Sequence, residues 1–210
     1  PMVFLDTRSL KAYDSSDELH GKDLESKFNS KEAKIVAGII FRLALGLSKN
    51  EEGNEILNRI SENLGIISPY RAQNQKLRES LGQLYEKLYL NLFPDGVAWT
   101  NKIVIDTVDR FQGAEKEIVF YSFVDSNPQS KTSELHKDLR RLNVSISRAK
   151  KKIIFIGNSK TLTDNKKNTE KPTSLEKDSI YHKLITYIQK HKGYIELNPN
   201  QLNQVFKLKD

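Results

Sequence analysis

Short, continuous apolar runs alternate with longer segments of helical period, and this alternation constrains the fold more than any other feature. The apolar runs lie at residues 2–5, 64–67, 103–105, 118–120, 153–156 and 194–197. Strands buried on both faces of a parallel sheet have this continuous apolar character. Helices that connect parallel strands pack on the two faces of the sheet. The sequence therefore predicts an α/β fold, a three-layer sandwich with a mostly parallel sheet flanked by helices on both faces.

The helical segments have recognisable starts and periods. Residues 29–32 read Asn-Ser-Lys-Glu, a capping box in which Asn29 accepts a hydrogen bond from a free helix N–H and Glu32 reaches back. Apolar residues at helical spacing follow it, and the same spacing recurs over residues 73–88, 139–149 and 181–188.

The remaining segments lack such a pattern. We predict a loop over residues 8–28, an exposed second helix or insertion over 48–63, and a polar loop over 158–179. A single domain over residues 1–197, with a tail at 198–210, accommodates all of these elements.

Charge and composition limit the function classes. The chain carries 34 Lys and Arg against 27 Asp and Glu, a net charge of +7 that favours polyanionic partners. Lysine runs such as 150–152 are also typical of an ordinary solvated surface. The absence of cysteine excludes disulfides, thiolate zinc sites and cysteine nucleophiles, and it suits a reducing compartment. No apolar run approaches the roughly 20 residues of a membrane span, so we expect a cytoplasmic protein without a membrane partner.

Polar residues concentrate in three segments, 68–73, 107–115 and 140–150, of which the first two directly follow predicted strands. Ligands of parallel sheets bind beyond the carboxyl ends of the strands, so we expect the site at that edge. In the third segment, Arg141, Ser145 and Arg148 share one helix face at ~3.6 residues per turn. Guanidinium groups suit polyphosphate, although arginines on an amphipathic helix are also common surface residues.

Together these segments resemble motifs IV, V and VI of superfamily 1 helicases, in the branch that contains the up-frameshift RNA helicases and the Dna2-type nuclease-helicases. The matching stretches are IISPYRAQ from Ile66, TVDRFQGAEKEIV from Thr107 and RLNVSISRAK from Arg141. The resemblance extends over most of the chain and is weakest at residues 8–28, 48–63 and 158–179. It implies the second, C-terminal RecA-like domain of such a helicase, which closes over ATP against the N-terminal RecA-like domain of the same protein and contacts single-stranded nucleic acid.

The resemblance also implies roles for individual residues. Arg148 matches the arginine finger that reaches the γ-phosphate and is the expected catalytic residue. The expected ATP-binding residues are Tyr70, Arg71, Gln73, Gln112, Gly113, Glu115 and Arg141. The expected nucleic-acid-binding residues are Ser68, Pro69, Thr107, Asp109 and Asn143. Asn74 stands where some relatives carry a further phosphate-facing arginine, and Arg71 is the candidate to replace it.

The sequence contains no metal-ligand pattern and no G-x-x-x-x-G-K-[ST] phosphate loop; residues 157–161 imitate its end, with Ser159 in place of the required glycine. ATP and Mg²⁺ are therefore expected to be bound mainly by the first domain, and the isolated chain is expected to be inactive. A non-catalytic nucleic-acid-binding or scaffold domain is the alternative. A magnesium nuclease is disfavoured because no Asp/Glu-x-Lys spacing on a second predicted strand follows Asp95. The residues leave DNA and RNA as substrates open.

Overall fold

The computed structural model describes residues 1–17, 26–47, 53–84, 86, 102–111, 113–130, 132–136, 138–163, 179–200 and 202. The predictions for Gln112, for the far end of the helix expected over 73–88, and for most of the loop 158–179 and the tail lie outside these residues.

Six of the eight described strands form one sheet. The strands are β1 Met2–Asp6, β2 Ser15–Asp17, β3 Ser26–Phe28, β4 Leu64–Ile67, β5 Val104–Asp106, β6 Lys116–Ser122, β7 Ala149–Gly157 and β8 Tyr194–Glu196. The order across the main sheet is β5-β4-β6-β7-β1-β8, and neighbouring strands are parallel throughout. The predicted parallel α/β sheet is thus confirmed.

The described helices cover both faces of this sheet. They are α1 Ser30–Leu47, α2 Gly53–Asn63, α3 Arg71–Leu84, α4 Leu139–Ser147, α5 Ser159–Thr163 and α6 Ile180–Lys190. Apolar residues of α1, α2 and α3 pack on the face that presents Ile66 and Phe120. Residues of α4, α5 and α6 pack on the opposite face, which presents Phe4 and Phe155. These two apolar layers enclose the sheet as in a RecA-like domain. None of the described helices combines the length and the apolar character needed to cross a membrane.

The predicted capping box at the start of α1 is half correct. The backbone N of Glu32 donates to Oδ1 of Asn29 over 3.1 Å, as expected. The backbone N of Asn29, however, donates to Gln73 rather than to Glu32. The Glu32 carboxylate instead accepts hydrogen bonds from Oγ of Ser122 and from the backbone N of Val124. The start of α1 is therefore tied to α3 and to the end of β6.

Three local predictions need correction. The predicted loop 8–28 contains a 3-10 turn at Arg8–Leu10 and the antiparallel pair β2–β3. The helix predicted within 48–63 is present as α2, but it is not simply exposed, since Ile60 belongs to the core. The predicted loop from residue 158 begins with α5, whose Leu162 is buried in the second apolar layer. Each of these elements is short or polar, so its apolar period is too weak to read from the sequence.

Candidate nucleotide and nucleic-acid sites

The predicted site residues divide between opposite edges of the sheet. Ser68 directly follows β4 and Thr107 directly follows β5, so both lie at the carboxyl edge, as expected. Glu115 directly precedes β6 and Arg148 directly precedes β7, which places them at the amino edge. A crossover between parallel strands returns the chain to the amino edge before the next strand begins. The expectation that the whole site lies at the carboxyl edge is therefore wrong for Gly113, Glu115 and Arg148.

At the amino edge, β6 and β7 extend beyond their neighbours. Lys116 pairs with Ala149, whereas β4 begins opposite Ile118 and β1 opposite Ile153. The backbone N of Lys116 donates to the carbonyl of Arg148 over 2.9 Å. Residues 113–115 and Arg148 therefore adjoin one another at the tip of a two-stranded extension.

Arg148 carries an unsatisfied hydrogen-bond donor. Its side chain is half-buried, and its Nε is buried without a hydrogen-bond partner. No ion pair to Arg148 exists among the described residues. A buried donor without a partner costs roughly 1–3 kcal/mol. An anionic ligand at this edge would remove that cost.

Gly113 and Glu115 flank this arginine. Gly113 has a φ of +86°, a left-handed backbone conformation that glycine adopts without strain. The Glu115 carboxylate is half-exposed, with Nζ of Lys150 at 3.8 Å. An exposed ion pair of this kind contributes at most about 1 kcal/mol, so the Glu115 carboxylate can exchange Lys150 for a ligand.

Arg141 and Asp109 form an ion pair between the first turn of α4 and the turn that follows β5. Nη2 of Arg141 lies 3.0 Å from Oδ2 of Asp109. The helical conformation continues to Arg148, the C-cap residue of α4, whose backbone N donates to the carbonyl of Ser145, so Arg141, Ser145 and Arg148 keep the predicted helical spacing. Ser145 is fully buried and donates to the carbonyl of Arg141, and Arg148 lies past the last residue of α4. Asn143 is exposed on α4.

At the carboxyl edge, the loops after β4 and β5 contact each other. The backbone N of Ser68 donates to the carbonyl of Asp106, and Oγ of Ser68 accepts from the backbone N of Tyr70. Pro69, next in the chain, is buried. The carbonyl of Thr107 accepts from the backbone N of Phe111 over 2.9 Å, which closes a turn. The half-buried Thr107 hydroxyl has no hydrogen bond to any described residue, so it is free to donate to a ligand.

Tyr70 and Gln73 are engaged in internal contacts. The Tyr70 hydroxyl lies 2.7 Å from Oδ1 of Asp125, and burial together with this carboxylate raises the pKa of Tyr70. Nε2 of Gln73 donates to Oγ of Ser122 over 2.9 Å, while its Oε1 accepts from Asn29 as described above. Both side chains thus hold strand ends together, and their contact with a nucleotide stays a prediction. Arg71 is exposed at the start of α3 and has no partner among the described residues.

Asp125 is a central residue of the carboxyl edge that the sequence analysis missed. It is fully buried, and its Oδ2 accepts from the backbone N of Ser133 over 2.5 Å. Nζ of Lys27 lies 3.6 Å away and Nε2 of His136 lies 3.5 Å away. Burial lowers the pKa of His136, and its Nε2 also contacts the carbonyl of Phe123. Asp125 follows an apolar strand closely, the same signal that identified Ser68 and Thr107.

The polar side chains at the two edges are better suited to binding phosphate than to binding a metal ion. Guanidinium, hydroxyl and amide groups at the two edges bind phosphate oxygens. Within the described part of the chain, no three His, Asp or Glu side chains come close enough to hold a metal ion together.

Comparison with known proteins identifies related chains. A family model described as "AAA domain" matches residues 1–160. The helicase sen1 of Schizosaccharomyces pombe is 35% identical over 137 residues, which cover 63% of this chain and 7% of the relative. The DNA replication ATP-dependent helicase/nuclease JHS1 of Arabidopsis thaliana is 30% identical over 166 residues, 77% of this chain and 10% of the relative. The corresponding dna2 protein of S. pombe is 34% identical over 143 residues, 68% of this chain and 8% of the relative.

These matches and the parallel α/β sheet define an AAA-type domain. The chain belongs to the superfamily 1 helicase family that includes the Sen1 and Dna2 helicases. It spans a tenth or less of the length of the three relatives described above.

Proposed function

We propose that this chain is the second, C-terminal motor domain of an ATP-dependent helicase that acts on single-stranded nucleic acid. Its amino edge completes an ATP site whose phosphate loop belongs to an N-terminal RecA-like domain of the same protein. Its carboxyl edge forms part of the nucleic-acid track. The relatives' names describe ATP-dependent helicases and nucleases, and their much greater length leaves room for such a first domain.

The unpartnered Arg148 is the observation that carries this proposal. Its Nε is buried without an acceptor beside residues 113–115, so an approaching phosphate gains a charge-assisted hydrogen bond without breaking an existing pair. When ATP and Mg²⁺ are bound, hydrolysis spreads negative charge over the γ-phosphate oxygens, and a fixed guanidinium stabilises that charge. We assign this role of arginine finger to Arg148.

The other residues assigned to the nucleotide site bind the nucleotide or position its ligands and take no part in the reaction. The Glu115 carboxylate accepts a hydrogen bond from a ribose hydroxyl once Lys150 is displaced. Gly113, which has no side chain, leaves room for the backbone to approach the nucleotide, and Gln112 is assigned to the same site from its motif. Asp109 fixes the direction of the Arg141 guanidinium. Tyr70 and Gln73 fix the loop that ends in Arg71.

At the opposite edge, hydroxyl and amide groups contact the nucleic-acid backbone. Thr107 donates its free hydroxyl to a phosphate, and the loop of Ser68 and Pro69 positions the strand beside it. Asn143, in the middle of α4, is a further exposed amide that we assign to the track. Such contacts position the strand without reading its sequence, and the net charge of +7 favours the polyanion.

The test is nucleic-acid-stimulated ATP hydrolysis by the full-length protein with Arg148→Ala. We expect kcat to fall by about 10³-fold or more, since arginine fingers contribute roughly 10³–10⁵ in related phosphoryl transfers. Arg140→Ala is the matched control, because Arg140 is almost fully exposed on the same helix and its one ion pair among the described residues is with Asp138 nearby. It should leave kcat unchanged.

Two results would contradict the proposal. One is an Arg148→Ala protein whose kcat equals that of the parent. The other is ATP turnover by the 210-residue chain alone at the rate of the full-length protein, because the chain lacks a phosphate loop.

A further inference from the structure

An exposed tyrosine lies at the carboxyl edge of the sheet and has no role in the sites assigned above. The side chain of Tyr13 is 48% exposed, and its hydroxyl has no hydrogen bond to any described residue. Tyr13 follows β1 and the 3-10 turn, and it lies two residues before β2. Exposure alone assigns no function, because single exposed apolar residues are common on protein surfaces.

The backbone on both sides of Tyr13 is fixed by hydrogen bonds. On one side, the carbonyl of Ala12 accepts from Nδ2 of Asn29 over 2.7 Å, and both residues are fully buried. On the other side, the backbone N of Asp14 donates to the carbonyl of Ser126 over 2.8 Å, and Oδ1 of Asp14 accepts from the backbone N of Ser126 over 3.0 Å. The Tyr13 backbone is therefore already ordered before any ligand binds, which lowers the entropic cost of binding.

These contacts place Tyr13 beside the proposed nucleic-acid track. Ser126, to which the Tyr13 segment is bonded, follows the end of β6, whereas Ser68 directly follows β4 and Thr107 directly follows β5. The three strands are neighbours in the order β5-β4-β6, and adjacent strands lie about 4.8 Å apart. The loops after these strands therefore succeed one another along the carboxyl edge over roughly 10 Å. A nucleic-acid strand that contacts Thr107 and Ser68 and continues in the same direction meets Tyr13.

Two lysines near Tyr13 have no carboxylate partner among the described residues. Lys11 is exposed, and Nζ of Lys31 donates to two backbone carbonyls of the adjoining turn rather than to an acid. The acidic neighbour Asp14 is already paired, since Nζ of Lys27 lies 3.3 Å from its Oδ2. Lys11 and Lys31 therefore leave positive charge beside the tyrosine, which favours a phosphate backbone there.

We propose that Tyr13 is a stacking platform for an unpaired nucleobase of the bound strand. This inference rests on the proposed function, because it requires the strand to run along the carboxyl edge. Aromatic side chains in single-strand tracks stack on any base, because every base has a π-face. Lys11 and Lys31 attract the adjoining phosphates. A base inside a duplex is already stacked on its neighbours, so the platform favours unpaired strands.

The test is the fluorescence anisotropy of labelled oligonucleotides of roughly ten nucleotides, titrated with the full-length protein. Oligodeoxythymidylate and oligouridylate are titrated separately, and the one that binds more tightly is used for all variants. Tyr13→Ala should raise the Kd at least about fivefold. Tyr13→Phe keeps the ring and should stay within about twofold of the parent. Tyr187→Ala removes a similarly exposed tyrosine from α6, and this matched control should leave the Kd unchanged.

A second probe separates stacking from a disturbance of the loop. It is an oligonucleotide of the same length and sugar in which every base is missing, so it keeps the phosphates but offers nothing to stack. The parent should bind this probe more weakly than the intact oligonucleotide, and Tyr13→Ala should weaken its binding no further. An equal loss with both probes would mean that the substitution disturbs the loop, and the stacking role would be refuted.

The remaining outcomes distinguish this inference from the proposed function. An unchanged Kd for Tyr13→Ala, together with a raised Kd for Thr107→Val, would remove Tyr13 from the track and leave the proposed function standing. An unchanged Kd for both variants, or binding of neither oligonucleotide by the parent, would mean that the carboxyl edge is not the track, and both proposals would fail. If Tyr13→Phe binds as weakly as Tyr13→Ala, the hydroxyl makes the contact and stacking is excluded.

Discussion

Val124 adopts a backbone conformation that its side chain disfavours, and its neighbours explain why. Its φ is 73°, in the left-handed region that β-branched residues rarely enter. Such strain costs about 1–3 kcal/mol and persists only where surrounding contacts hold it. Here Oε2 of Glu32 accepts from the backbone N of Val124 over 3.0 Å, and Nδ2 of Asn29 donates to its carbonyl. The buried start of α1 thereby fixes the next residue, Asp125, and through it Tyr70.

The titration of Glu32 should therefore be visible in the stability of the domain. Burial raises the pKa of Glu32 to about 8 from its ordinary value of 4.5, despite hydrogen bonds that favour the charged form. The folded chain retains a proton that the unfolded chain releases, so the free energy of unfolding falls as pH rises from about 4.5 to about 8. The Glu32 contribution to this fall is on the order of 5 kcal/mol, because each pKa unit between the folded and the unfolded chain corresponds to about 1.4 kcal/mol. It levels off above pH 8.

Glu32→Gln isolates that contribution in urea unfolding curves recorded from pH 5 to pH 9, a range that brackets the pKa of about 8. The difference in unfolding free energy between parent and variant should shrink as pH rises through this range. Burial lowers the pKa of His136, so His136 makes the free energy of unfolding rise with pH. Both chains contain His136, so its contribution cancels in the comparison. Glu79→Gln, an exposed carboxyl paired with Lys76, is the control and should give a curve parallel to the parent above pH 5. If the unfolding free energies of the Glu32→Gln chain and the parent change in parallel with pH, then Glu32 does not retain a proton in the folded chain.

At the scale of elements, β4 and the turn after β5 are in unusually close contact. A Cβ on Gly65 would lie 2.5 Å from Cζ of Phe111 and 3.0 Å from Cγ of Lys116. Phe111 closes the turn that begins at Thr107 and is itself 1% exposed. Glycine in the middle of this apolar strand therefore permits the turn to pack on the sheet.

Gly65→Ala should lower the free energy of unfolding by about 1–3 kcal/mol, because the aromatic ring must move out of a filled space. Urea unfolding of the purified chain measures this change. Gly82→Ala is the control: its position in α3 is open, so alanine should raise the stability by about 0.5–1 kcal/mol through helix propensity. Equal stability of the Gly65→Ala chain and the parent would mean that the Phe111 ring yields without cost.

The sequence predicts elements well where apolar runs are continuous and poorly where they are short. The strand at 64–67 and the start of α1 were predicted at their observed positions, because a buried core imposes both patterns. The pair β2–β3 has three residues in each strand, too few to show alternation. The candidate site residues were proposed from motifs, and the motifs did not indicate the edge of the sheet at which each residue lies. Arg148 precedes the apolar run at residues 153–156, with Ala149 and three lysines between them, and a residue that precedes a parallel strand lies at the amino edge of the sheet.

At the scale of the whole molecule, the length of the sheet separates Arg148 and Glu115 from Thr107. Phe155 aligns with Ile67 at the carboxyl end, and Ala149 begins β7 at the amino end. The six residue steps between them span roughly 20 Å at about 3.3 Å per residue. Residues that far apart with no shared partner have additive energetic effects. Nucleotide binding and nucleic-acid binding should therefore be separable by mutation.

This separation can be measured in the full-length protein with Glu115→Gln and Thr107→Val. Glu115→Gln removes a contact to the nucleotide alone and should raise KM for ATP about tenfold, with the Kd for a single-stranded oligonucleotide unchanged. Thr107→Val removes a hydroxyl of the track and should raise that Kd about threefold, with unstimulated ATP hydrolysis unchanged.

The double variant should show both effects at their single-variant size, and Glu55→Gln, exposed on α2, should show neither. A rise in oligonucleotide Kd caused by Glu115→Gln would mean that one edge serves both ligands, and the two-edge assignment would then fail.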